Sequence, residues 1–135
     1  MVKSRVFFEN KFTKIVNFQR KVLTLHSKFT NMEINFKEEY LRDLYHKGKA
    51  DKKHRFQPPI IRKYIRVIDL MKAEINVIGL TKYNSINYEH LHGDKEGLSS
   101  VRVNNQYRIE FEEETIDGQA IASIYNITEL SNHYK

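Results

Sequence analysis

Between Tyr88 and Glu112 the chain reads YEHLHGDKEGLSSVRVNNQYRIEFE, which crowds His90, His92, Lys95, Arg102 and Arg108 around tight turns. A guanidinium holds phosphate oxygens through a planar fork, and a histidine titrates near neutral pH. Together such groups could perform acid–base chemistry on a phosphodiester. His90 and His92 form His-x-His, which on an extended segment turns both rings to one side and could begin a metal site. The chain has no cysteine, however, and no third ligand follows, so no metal or cofactor is expected. The stretch Gly93-Asp-Lys-Glu-Gly97 has the wrong spacing for a phosphate-binding P-loop and reads as a tight loop carrying Lys95. The chain closes on Asn132-His133-Tyr134, which can act only if the tail folds back onto the sheet.

The register of one hairpin decides how the arginines stand. A two-residue loop at Asn104-Asn105 would set Val101 opposite Arg108 and mix apolar with charged residues. A three-residue loop, Asn104-Asn105-Gln106, pairs Val103 with Tyr107 and Val101 with Ile109. Register follows the buried face, and asparagine tolerates the left-handed backbone such a loop needs, so the second is expected. It places Arg102 directly across from Arg108, on the side away from the apolar residues. Opposed like charges are unfavourable in a sheet. Either a nearby acid, with Glu110 the natural choice, or a bound phosphate should neutralise them. On that view, removing either arginine relieves the repulsion and should not destabilise the fold.

The elements that carry these groups follow from periodicity. Residues 32–36 alternate as a short strand. Tyr40, Leu41, Leu44 and Tyr45 then mark one face of a helix, with acids early and bases late, ending near Gly48. Pro58 and Pro59 open a second helix with an apolar stripe of Ile61, Tyr64, Ile65, Ile68 and Met71, in a region that closes at Gly79. After a polar connection the period switches to two, with a turn at Asp117-Gly118 before the last strand. The acids Glu112, Glu113 and Glu114 read as a solvated strand end. The order predicts an α+β fold: a short N-terminal strand, two helices, then a three- to four-stranded antiparallel sheet. The basic run Lys47, Lys49, Lys52, Lys53, His54, Arg55 fits a solvated surface or a footprint for nucleic acid.

With 40% hydrophobic and 30% charged residues in 135, the chain can bury one core and is not of disordered composition. No apolar run approaches the roughly 20 residues of a membrane helix. The charge is uneven. Residues 1–31 hold seven basic residues against Glu9 alone, so the whole formal charge of +6 lies there, and the rest balances. A domain is therefore expected over 32–135. Residues 1–31 form a basic extension: an over-called start before Met32, a tail or a targeting peptide.

The segment 88–111, the last strand and the closing LSNHYK resemble the HigB-like toxins of the RelE/ParE superfamily, over about Met32 to Lys135. The resemblance rests on the Leu-x-Gly-Asp-x-x-Gly loop, the Ser-x-Arg-Val-Asn strand, the Gln-Tyr-Arg-Ile-x-Phe strand and the His/Tyr tail, in that order. It implies a cytoplasmic, metal-independent endoribonuclease that cuts mRNA on the ribosome and is neutralised by a HigA-like helix-turn-helix antitoxin. It implies that Arg108 stabilises charge on the scissile phosphate. His92 stands where relatives often carry lysine, and a further family histidine falls near Glu89 or His90. The tail of better-known members ends Asp-Tyr-His, so His133 and Tyr134 are candidates for acid and base without a one-to-one match. Catalytic candidates are thus His92, Arg108, His133 and Tyr134, with Arg102, Lys95, Asn132 and His90 as RNA contacts. Two rivals stand beside this reading. One is a non-nuclease, ParE-like toxin that inhibits a topoisomerase by protein binding. The other, a non-catalytic RNA-binding module, would expose stacking aromatics where Tyr107 and Phe111 look buried.

Overall fold

In the first helix, α1 (Glu39–Lys47), Leu41 and Leu44 are spaced to share one face, and both are fully buried. Glu39 stands in its first turn and His46 and Lys47 in its last, the order that suits the helix dipole. Gly48 caps it, with its N–H donating to the Leu44 carbonyl at 3.2 Å. The second helix, α2 (Pro58–Ala73), starts on the two prolines as the sequence predicts. Its buried stripe is Ile60, Tyr64, Val67, Ile68 and Met71, while Ile61 and Ile65 pack at the margin. The Tyr64 hydroxyl donates to the Leu41 carbonyl at 2.8 Å, and Tyr45 donates to Asp69 at 2.5 Å, so each helix is pinned to the other. The Asp69 hydrogen bond, helped by burial, pushes the Tyr45 hydroxyl up to about 12.

The computed structural model describes residues 32–115 and 124–132. The N-terminal 1–31, the Asp117-Gly118 turn, His133 and Tyr134 lie outside the described residues. Around the helices run five strands: β1 (Glu33–Phe36), β2 (Glu89–His90), β3 (Leu98–Arg102), β4 (Arg108–Glu114) and β5 (Ile124–Ser131). They form one sheet in the order β1-β5-β4-β3-β2. Strands β2 to β5 are antiparallel, and β1 joins as a fifth strand, parallel to β5. The fold is α+β, with the expected first strand completing the sheet.

Helix α2 stops at Ala73, short of Gly79, although the sequence stays apolar. The N–H of Met32 donates to the carbonyls of Lys72 and Glu74 at 3.1 and 2.9 Å, taking acceptors at the helix end. Asn76 then accepts from the Ile78 N–H and starts a 3₁₀ segment, Val77–Lys82. A second 3₁₀ turn, Asn84–Ile86, buries Ile86. One core joins the helices to one face of the sheet through Val101, Ile109, Phe111, Tyr125, Ile127 and Leu130.

Candidate active site on the polar face of the sheet

Paired residues of a sheet share a face and neighbours along a strand alternate. Val101 lies opposite Ile109 and Arg102 opposite Arg108, which is the register of the three-residue loop. Asn104 holds that loop: its side-chain oxygen accepts from the N–H groups of Gln106 and Tyr107 at 2.8 and 2.7 Å. The face away from the core therefore carries two rows. One is Arg102, Arg108 and Ser131; the other is Glu89, Ser100, Glu110 and Glu129.

The two arginines of the first row differ in surroundings. Arg108 is 4% exposed, and Arg102 is open to solvent. Arg108 donates through Nε to Ser100 Oγ at 2.9 Å and through Nη2 to the Asn87 carbonyl at 2.7 Å. The same Nη2 lies 3.2 Å from Glu89 Oε1. Glu89, half exposed, is thus the acid that neutralises the arginine, where the sequence suggested Glu110. Glu110 is occupied: it is 1% exposed and bound by Lys95 Nζ, with Glu110 Oε2 at 2.6 Å. Glu129 stands 3.9 Å from the same ammonium. These contacts lead to the opposite expectation from the sequence, that losing Arg108 costs stability. Its guanidinium holds three separate segments together.

Asn87, whose carbonyl meets Arg108, has φ 42° and ψ 62°. That left-handed conformation strains most side chains, and asparagine is among the few that adopt it readily. Gly93 and Gly97 have φ of 69° and 91°, so the Gly-Asp-Lys-Glu-Gly loop uses both glycines to turn back and lay Lys95 over Glu110.

Strand β2 splits the candidates between faces. Glu89 points to the arginines, so His90 points to the other side. There its Nδ1 lies 3.0 Å from Ser99 Oγ and its Nε2 3.3 Å from the Tyr88 hydroxyl. Ser99 donates to Glu113 Oε1 at 2.9 Å, and Tyr88 donates to the same oxygen. Glu113 is therefore a hydrogen-bonded hub and not a solvated strand end. Burial, with the Glu113 hydrogen bond next, pushes the Tyr88 hydroxyl well above its ordinary value. His92 sits before the glycine loop, 83% exposed, with Nδ1 3.7 Å from Glu96 Oε2. Asn132 is exposed and follows Ser131, the partner of Arg108 in β5.

The structure thus brings together Arg102, Arg108 and Lys95 on one face and turns His90 away from them. It adds Glu89, Ser100, Glu110 and the Asn87 carbonyl, which sequence reasoning did not assign to the site. Ser100 and Glu110 were accessible from the hairpin register, which pairs them. Glu89 was not, because a two-residue strand carries too little pattern to fix its face. Among the described residues, no group of three or more His, Asp or Glu is placed to hold a metal ion.

Residues 34–125 match the HigB-like toxin family, described as the RelE-like toxin of the type II toxin–antitoxin system HigB. Toxin HigB-1 of Vibrio cholerae serotype O1 (strain ATCC 39315 / El Tor Inaba N16961) is 33% identical over 94 residues, covering 67% of this chain and 90% of that protein. The YoeB/ParE toxin from Agrobacterium tumefaciens aligns in structure with a TM-score of 0.43 at 16% identity, over 76% of this chain and all of the other.

Proposed function

The chain belongs to the HigB family of RelE-like toxins of type II toxin–antitoxin systems, and from that premise we propose that it is a metal-independent endoribonuclease cutting mRNA on the ribosome. The observation that carries this reading is the buried, fully oriented guanidinium of Arg108 beside the exposed Arg102. RNA brings its own nucleophile. The 2′-oxygen bonds to phosphorus, the bond from phosphorus to the 5′-oxygen breaks, and a cyclic phosphate remains. The enzyme must take the 2′ proton, hold the equatorial oxygens and protonate the leaving oxygen.

Arg108 is suited to the second task, because a donor already fixed in place need not reorganise as charge grows. Glu89 fits the first. A phosphate arriving on Arg108 competes with this half-exposed carboxylate for Nη2, and the displaced carboxylate is then close enough to accept the 2′ proton. With Glu89 as the base, the acid that protonates the leaving oxygen comes from His92, His133 or Tyr134. Lys95 and Asn132 flank the arginine row as contacts to the RNA backbone. A helix-turn-helix antitoxin of the HigA kind would be the neutralising partner, and the cytoplasm the place of action.

Cleavage of mRNA on programmed ribosomes tests the assignment. Arg108→Ala should lower the rate by about a hundred- to a thousand-fold, the usual loss for a preorganised charge donor. If induced wild-type toxin stops growth while primer extension finds no new mRNA ends, the topoisomerase-inhibitor reading replaces this one.

A further inference from the structure

At the end of the sheet where Arg102 stands, a cleft opens between the hairpin and helix α2. Lys63 and Arg66, one turn apart on α2, face Arg102 across this cleft of about 520 Å³. The hairpin residues Asn104 and Asn105 close one side, and Val67, Ile86 and Val103 contribute an apolar lining. Among the described residues none of the three cations has a hydrogen-bond or ion-pair partner. This is unlike the polar face of the sheet, where Arg108 and Lys95 are each bound to carboxylates. Three unpaired like charges around one cavity repel each other until an anion arrives.

We infer that this cleft is a nucleotide subsite: it takes the RNA residue next to the scissile position, with its phosphate between Lys63, Arg66 and Arg102 and its base against the apolar lining. The inference rests on the endoribonuclease reading and extends it to residues outside the reacting centre. Arg102 belongs to both places. It stands across the strands from Arg108 and lines the cleft, so a chain whose phosphate lies on Arg108 passes Arg102 on its way in. Asn104 has its side-chain oxygen engaged by the loop, which leaves its amide nitrogen to donate. An acidic peptide would satisfy the cations, but a nucleotide chain with a phosphate on Arg108 is already led past Arg102 into the cleft. A nucleotide uses both the cations and the apolar lining. The lining holds no aromatic side chain for stacking, so the subsite should bind any base with little preference.

The test is binding of a short 2′-O-methyl oligoribonucleotide, which cannot supply the nucleophile, to the full-length toxin. Amide resonances of Ser85, Asn104 and Asn105 should shift on titration. In the double variant Lys63→Gln, Arg66→Gln the slope of log affinity against log salt should fall by about 0.7, the loss of one phosphate contact to a single strand. Melting temperature and antitoxin binding should stay at wild-type values, and Lys63→Arg with Arg66→Lys should restore the slope. A double variant with the wild-type slope overturns the inference, as does one that keeps RNA binding but loses the antitoxin, which would make the cleft a protein-docking site. Wild-type toxin that cuts on ribosomes while the cleft resonances stay still removes the subsite and leaves the nuclease reading intact. Toxin that neither cuts nor binds removes both.

Discussion

The polar face of the sheet has a paired interior and an open margin. In the interior, Arg108, Glu89, Lys95 and Glu110 satisfy one another, and Arg108 and Glu110 are shut from solvent. At the margin, Arg102, Lys63 and Arg66 keep their charges in water. The same residue type plays two parts a single strand apart. A buried guanidinium costs desolvation and must be held by several partners, which also fixes its direction. An exposed one costs little, keeps its rotamers and can follow a ligand. Fixed donors suit the bond that reacts, and mobile ones suit the chain that leads to it.

Removing the interior's one ammonium gives the largest expected effect on stability. Lys95→Met leaves the Glu110 carboxylate buried without its cation. Breaking a buried pair costs about 3–5 kcal/mol, and the partial exposure of Lys95 puts this case toward about 3. Adding Glu110→Gln should recover most of the loss, since the uncompensated charge disappears with it. Urea unfolding of both variants measures this. If Lys95→Met unfolds at the wild-type midpoint, the interior is not held by its charges, and the contrast with the margin collapses.

The arginines themselves come next. Arg108→Ala withdraws donors from Ser100 and from the Asn87 carbonyl, but Glu89 is half exposed and can rehydrate. The expected cost is about 2 kcal/mol. Arg102→Ala should stay within about 0.5 kcal/mol, as exposed charges usually do. Paired melting curves decide it. Equal losses at the two positions would mean that the row is uniform and that burial does not distinguish its ends.

Part of this contrast was legible in the sequence. Alternation of Val101 and Val103 against Tyr107 and Ile109, with asparagines between, leaves a single register that keeps the core face apolar, and it puts the arginines opposite each other. Two prolines mark the start of α2 for a backbone reason just as local. Non-local features were not legible. Strand β1 pairs with β5 across nearly the whole domain, and no four-residue pattern names its partner. The early end of α2 depends on Met32 arriving at its carbonyls. Burial of Arg108 depends on the Tyr88 segment folding over it, so pattern alone treated both arginines as surface charges.

A smaller effect than at Arg108 is expected at Asn87, and it asks how the interior arginine keeps its aim. The contact is made by the backbone carbonyl, 2.7 Å from Arg108 Nη2, so any side chain at 87 could in principle preserve it. What the side chain controls is whether the backbone stays at φ 42°. Alanine disfavours the left-handed region by about 1 kcal/mol relative to a residue that accepts it, and glycine has no such penalty. Asn87→Ala should therefore lower the melting temperature by about 4–8 °C, the shift that 1 kcal/mol gives a domain of this size. Asn87→Gly should melt within a few degrees of wild type and keep its cleavage rate. Were alanine and glycine to behave alike, the left-handed turn would not be what holds the carbonyl on Arg108. The orientation of the guanidinium would then rest on its other partners, Ser100 and Glu89 among them.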